Sequence, residues 1–250
     1  MMEIRELPAY SVPEVAKYLH LPVDTLRSWV HGRYYPTREE KRYSYPLIEL
    51  PSNLIELPSN LIELPSKRKK ILSFTNLIEA HVLSAILRES SAILRDHKIP
   101  LTKVRGALDY IQEKLKLPHP FASLKFENDG IDLFLEGFGE LITVSGYGQM
   151  ALKAVLETFL SRIERDEIGY PLKLFPFPFR KDPDINAPRT VVIDPRISFG
   201  RPVLVGTGIP TAILAERFKA GDSIYELAED YRCEHLQIEM GIRYEFNLVT

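Results

Sequence analysis

The sequence predicts a mainly α-helical, α+β protein, and three observations carry that prediction. Apolar residues recur at helical spacing behind capping signals near both ends of the chain. Short stretches with strand character punctuate these helices, and proline clusters divide the whole into units. With 250 residues, of which 45% are hydrophobic and 26% charged, the chain can bury two or three compact cores. Thirty-two Lys and Arg against 34 Asp and Glu leave a net charge of −2. That balance argues against coating nucleic acid over the whole surface and permits a local basic face. No run approaches the ~18 apolar residues of a membrane span, and the start carries Glu3, Arg5 and Glu6 instead of a signal sequence. The single cysteine, Cys233, supports neither a disulfide framework nor a cysteine zinc site. A cytoplasmic protein with no membrane contact and no cofactor is expected.

The first unit, residues 1–46, opens on Ser11-Val-Pro-Glu14, a capping box with proline in the first turn. Val12, Val15, Ala16 and Leu19 then form one apolar stripe. After a break at His20-Leu-Pro22, a second helix is predicted from Val23 to His31, stopping at Gly32. Its apolar face carries Leu26, Trp29 and Val30, and its opposite face Asp24, Arg27, Ser28 and His31. Two short helices joined by a tight turn, the second of them polar, describe a helix-turn-helix whose second helix enters a major groove. Cations gather behind it: Arg33, Arg38, Lys41 and Arg42, then the run Lys67 to Lys70. Any polyanion is therefore met at the N-terminal end.

Residues 47–70 contain a tandem repeat, LIELPSN-LIELPSN-LIELPS from Leu47 to Ser66. Proline every seven residues, at Pro51, Pro58 and Pro65, forbids a continuous helix, so an extended or irregular insertion is expected. A second duplication, Ser84 to Ser90 followed by Ser91 to His97, has no proline and lies in a helical pattern. Seven residues turn a helix by nearly two turns, so this copy lengthens the helix without rotating its apolar face.

The central unit, residues 71–180, should hold an amphipathic helix from Thr75 to His97 with Leu77, Ile78, Val82, Ile86 and Leu87 inside, and another over Leu101 to Leu115. Ser123 to Glu127, Ile131 to Glu136 and Glu140 to Val144 then read as three short antiparallel strands joined at Asn128-Asp129-Gly130 and Gly137-Phe138-Gly139. A further helix from Gly148 to Glu167 and a strand from Tyr170 to Phe175 complete an α+β unit. Asp129, Asp132, Glu136 and Glu140 read as solvent-facing turn residues, not as a metal cluster. The six histidines show no paired metal spacing, and no hydrolase or nucleotide-binding signature appears, so enzymatic chemistry is not expected.

The last unit, residues 181–250, begins after the proline-rich stretch from Phe175 to Pro188. Val191 to Asp194 and Pro202 to Val205 suggest a β-hairpin. Three helices follow: Thr211 to Ala220 ending at Gly221, one opened by the capping box Ser223-x-x-Glu226, and Glu234 to Tyr244. Over residues 187–250 seven basic side chains face nine acidic ones. An acidic helix-turn-helix-like bundle repels phosphates, so a protein interface or dimerisation is the better reading of this end.

Two resemblances sharpen these expectations. Residues 10–32, YSVPEVAKYLHLPVDTLRSWVHG, resemble the opening of MerR-like winged helix-turn-helix domains, with Thr25-Leu26-Arg27-Ser28-Trp29 at the family's core motif. The resemblance implies that Arg27 and Ser28 contact DNA, that Trp29 packs or supports a backbone contact, and that Tyr34, Tyr35, Arg38, Lys41 and Arg42 line the wing. The stretch VIDPRISFGRPVLVGTGIP, continuing to LAERFKAGDSIYELAEDY, resembles the family called domain of unknown function 433, found among VapB-type antitoxins. Its motif positions here are Ile193-Asp194-Pro195, Gly200-Arg201-Pro202, Gly206-Thr207 and Ile209-Pro210; Gly208 stands where that family usually has Arg. The resemblance implies a homodimeric, non-enzymatic antitoxin that represses its own operator DNA and neutralises a PIN-like ribonuclease toxin, with Arg201 available to meet an acidic site. The alternative is a stand-alone transcription regulator whose central unit senses a ligand.

Overall fold

The computed structural model describes residues 3–36, 41–51, 70–97, 101–141, 146–178 and 186–246. It is mainly helical with short antiparallel strand pairs. Helices α1 (Val12–Tyr18) and α2 (Val23–His31) lie where the caps place them. The Ser11 hydroxyl accepts from the Glu14 amide, and the Glu14 carboxylate accepts in return from the Ser11 amide at 2.8 Å. Strand β1 (Tyr10–Ser11) precedes α1, and a hairpin of β2 (Arg33–Pro36) and β3 (Lys41–Ser44) follows α2. The first copy of the proline heptad is part of the core: Leu47 and Ile48 are buried, and their amides donate to the Trp29 carbonyl at 2.7 and 3.1 Å. The second and third copies, and Arg38, lie outside the described residues.

Strand β4 (Lys70–Leu72), which the sequence did not announce, pairs with β1 and leads into α3 (Phe74–His97). This helix runs unbroken through the SAILR duplication, as its period requires. It is not amphipathic over its first half, because every residue from Phe74 to Ile86 is buried, including Thr75, Asn76, Glu79, His81 and Ser84. A helix apolar on one face only is half wet, whereas one covered on all sides must find partners for its polar groups inside the protein. Helix α4 (Leu101–Leu115) follows within the predicted bounds.

Where three strands are expected between Ser123 and Val144, the described residues 126–141 are helical instead. A π-helical turn at Phe126–Gly130 runs straight into α5 (Ile131–Leu141), which packs on α4; 142–145 lie outside the described residues. Ile131, Leu133 and Leu135 alternate as a strand would, but Ile131 and Phe134 are the buried pair, one helical turn apart. Gly130 is a packing glycine and not a turn glycine, for a Cβ there would sit 2.5 Å from the Phe126 ring. Asp129, Asp132 and Glu136 accordingly stand on an exposed helical surface, Asp132 paired with Lys153 at 2.8 Å.

Helix α6 (Gly146–Leu160) packs on α3 and stops earlier than the expected Glu167. The chain turns into β5 (Ile163–Arg165), antiparallel to β6 (Pro171–Leu174). Asp166 makes that turn, its Oδ1 accepting from the Ile168 and Tyr170 amides at 3.0 and 2.8 Å with Gly169 at φ +93°. One core runs from Tyr10 through the central helices to Ile193. The C-terminal hairpin of β7 (Val191–Val192) and β8 (Val203–Leu204) carries α7 (Thr211–Ala220), α8 (Ile224–Tyr231) and α9 (His235–Phe246). These helices enclose a second core of Leu204, Leu214, Leu227, Ala228, Ile238 and Ile242. At Gly241 α9 presses on β8, where a Cβ would meet Leu204 at 2.8 Å.

Arg162 binds the central and C-terminal parts together. It is fully buried, and its guanidinium donates to the carbonyls of Phe175 and Pro176 on one side and of Ala187 and Pro188 on the other, at 2.6–3.3 Å. Burial and the nearby Arg189 push its pKa down to about 10, so it stays charged at neutral pH. Replacing it as Arg162→Met keeps the stem but leaves four buried or half-buried carbonyls without a donor. A loss of roughly 2–4 kcal/mol is expected, to be read as a lowered urea midpoint.

Candidate nucleic-acid interface

The surface presented by α2 follows from its sequence period. Leu26, Trp29 and Val30 are buried against α1 and the core, which turns Asp24, Arg27 and His31 outward. Arg27 is ion-paired with Asp24 one turn earlier, both side chains more than half exposed. Ser28 is half-buried and donates to the Thr25 carbonyl at 2.7 Å, so its hydroxyl is already engaged within the helix. Trp29 is only 6% exposed and belongs to the core, and its contribution is the carbonyl that receives Leu47 and Ile48. Its ring does not reach the surface.

The helix ends at Gly32, with φ +69°, where a Cβ would lie 2.4 Å from both the Ser44 carbonyl and the Tyr43 hydroxyl. Only glycine lets the hairpin turn back this closely. The Tyr43 hydroxyl then donates to the His31 carbonyl at 2.7 Å, capping α2 and fixing the hairpin to it. Arg33 is exposed at the start of β2, opposite Ser44. The register sets Tyr35 opposite Arg42 and Pro36 opposite Lys41. Sequence reading overlooked Tyr43 and Tyr45. Tyr34 pairs with Tyr43 across the ladder with rings 4.9 Å apart, and Tyr45 continues the row at 5.2 Å from Tyr43. Tyr34 and Tyr45 are 71% and 72% exposed. The usable signal was the period-two spacing of residues 43 and 45, which sets both on one face of a strand.

The C-terminal motif residues build a scaffold. Asp194 is buried and receives the Arg196 guanidinium at 2.9 and 2.7 Å and the Arg196 amide at 2.9 Å. Burial alone would raise its pKa, but the Arg196 bonds and charge, with Lys173 nearby, hold the carboxyl below the usual range. Pro202 is buried and its carbonyl accepts from the Thr211 amide and hydroxyl. Gly206 sits at φ +78° in the turn, closed by the Thr207 hydroxyl donating to the Leu204 carbonyl and accepting from the Ile209 amide. The Ile209 carbonyl accepts from Leu204, and Pro210 opens α7. A Cβ on Gly200 would meet the buried Tyr10 hydroxyl at 2.0 Å, so this glycine lets the hairpin sit on the N-terminal strand. Arg201 alone of the motif's charged residues points outward, with no ion pair among the described residues.

Residues 191–244 match the family described as Protein of unknown function (DUF433). Over 247 residues the chain is 26% identical to the protein named "Putative antitoxin VapB45" of Mycobacterium tuberculosis, a match that covers 92% of this chain and 91% of that one. The X-ray crystal structure of Rv2018 from Mycobacterium tuberculosis has the same fold, with a TM-score of 0.63 at 22% identity over 95% of this chain and 98% of that one. No described helix is long and apolar enough to cross a membrane.

Asp194→Asn keeps the shape of the motif and removes the charge that Arg196 grips. A folded-state pKa below the unfolded value stabilises above that value and loses its effect as pH falls through the folded one. The variant should therefore be less stable at pH 7 by about 1–3 kcal/mol, and its stability should fall less steeply than the parent's below about pH 4. Thermal melts across that range check both.

Proposed function

We propose that this chain is the antitoxin of a toxin–antitoxin pair, a homodimer that represses its own operon through α2 and the β2–β3 hairpin while neutralising a PIN-like ribonuclease. The observation that carries the DNA-binding half is the exposed Asp24–Arg27–His31 face beside a hairpin faced with tyrosines and bearing Arg33. The near full-length similarity to a protein named as an antitoxin supports the other half.

The chemistry of such a face is direct. An exposed i,i+3 pair such as Arg27–Asp24 is worth little in water and opens readily. Arg27 freed from it can donate two hydrogen bonds to the O6 and N7 of a guanine, leaving Asp24 to accept from a cytosine amino group. The hydroxyls of exposed Tyr34 and Tyr45 can donate to phosphate oxygens, and Arg33 neutralises backbone charge. A two-fold dimer spaces its half-sites about one helical turn, roughly 34–36 Å, apart.

Arg27→Ala should weaken binding to the upstream operator by about 1–3 kcal/mol and relax specificity at one base pair in each half-site, measured by gel shift against a set of point-mutated operators. Coexpression with the product of the neighbouring gene, followed by purification and a ribonuclease assay with and without this chain, tests neutralisation. A complex in which nuclease activity is silenced is the expected result. Failure both to shift the operator and to copurify that product overturns the reading.

A further inference from the structure

The turn between α1 and α2 sets the direction of α2, and it is held from the far end of the chain. Within the turn the Leu19, His20 and Leu21 amides donate to the carbonyls of Val15, Lys17 and Ala16 at 2.8–3.1 Å, and α2 starts with Thr25 and Leu26 bonded to Pro22. His20 takes the left-handed conformation at φ +52°, which is unfavourable for a residue with a side chain. The carbonyl of Tyr18, the last residue of α1, would look for an amide four residues on, but that position is Pro22, which has none. It accepts instead from the hydroxyl of Tyr244, near the end of α9, at 2.8 Å. The Tyr244 ring also packs edge-on against His20, with ring centres 5.1 Å apart. Burial of Tyr244, with Glu245 and Tyr18 beside it, raises its pKa well above the usual value, so the hydroxyl keeps its proton and donates.

The next residue keeps α9 alongside α1. The Glu245 carboxylate, 5% exposed, is 2.6 Å from Lys17 Nζ on α1 and accepts from the Thr211 hydroxyl at the start of α7, also at 2.6 Å. Thr211 is in turn bonded to the Pro202 carbonyl of the C-terminal hairpin. A contiguous set of bonds therefore runs from that hairpin through α7 and α9 to α1. Between the turn and the end of α9 lies a cavity of about 330 Å³, bounded by Tyr18, His20, Pro22 and Tyr244 among others. The turn is thus held here at discrete points beside open space, not by a filled apolar seam, and each point counts. We infer that Tyr244 is a positioning residue for α2: by fixing the α1–α2 turn it sets the angle at which the exposed Asp24–Arg27–His31 face is presented. The effect on operator binding rests on the proposal that this face reads DNA, whereas the positioning does not. The C-terminal unit is then a working part of the N-terminal surface and not a separate module.

The test uses the full chain and Tyr244→Phe, which removes one hydroxyl and keeps the ring. Amide hydrogen exchange over residues 19–26 should quicken by about fivefold to tenfold, the loss of one buried hydrogen bond, while the amides of Leu77 to Ile86 inside α3 keep the parent's rates. Operator affinity, by gel shift at a temperature where both proteins are folded, should fall by a similar factor. Tyr225→Phe, at a 71% exposed ring on α8, should change neither. Unchanged exchange over residues 19–26 overturns the inference whether or not the operator is bound. Exchange that quickens equally in α3 reveals a general loss of stability and overturns it too, as does parental operator affinity in Tyr244→Phe. If exchange quickens at the turn alone but the parent binds no operator, the positioning is upheld and the DNA reading is what fails.

Discussion

Helix α3 has no wet side over its first three turns, and the arrangement of the described residues around it answers that constraint. Ser84 donates to the His81 carbonyl within the helix, and the other buried polar groups of α3 are met by different parts of the chain. The Thr75 hydroxyl donates to Glu6 of the N-terminal turn, and the Asn76 amide donates to the Glu49 carbonyl of the first proline heptad. Glu79 accepts from Asn76 and from His119, and the His81 ring meets the Phe159 carbonyl at the end of α6. Burial pushes the Glu79 carboxyl up despite these bonds and lowers His81 to about 4, so His81 is neutral and donates. For His119 burial works against the charge, but the Glu79 bond and the charges of Glu79, Glu6 and Glu49 outweigh it and raise its pKa. Four segments far apart in sequence are thereby referenced to one helix, because an unmatched polar group in that position costs more than an ordinary contact gains.

The same constraint explains what the sequence could and could not reveal. Capped elements were legible: Ser11 with Glu14 and Ser223 with Glu226 mark α1 and α8, and Gly221 ends α7. These are local agreements between side chain and backbone, and nothing distant overrides them. The helical nature of 126–141 was not legible because Ile131, Leu133 and Leu135 fit a strand as well as a helix, and only packing on α4 decides between them. The burial of the first half of α3 on all sides was equally hidden. Asn76, Glu79 and His81 read as a polar face until their partners, drawn from residues 49, 119 and 159, are in place.

At the proposed site the division is similar. The exposed face of α2 was legible from its period, which also turns Trp29 toward the core. The tyrosine row across β2 and β3 depended on a ladder register that pairs residue 34 with 43, which no local pattern fixes. The DUF433 motif was legible as a motif, yet its residues hold backbone in shape. Asp194, Pro202 and Thr207 serve the hairpin, and the exposure of Phe199 inside that stretch has no local signal.

The docked heptad has a consequence for how this chain can vary. Leu47, Ile48 and Glu49 occupy a slot defined by the Trp29 carbonyl and the Asn76 amide, and the chain spells the same LIELPS three times before β4 begins. Excising seven or fourteen residues from this stretch therefore leaves a copy with identical side chains at the slot. Repeats of this kind expand and contract readily when genes are copied. The side chains offered to the slot are thus the same whichever copy is retained.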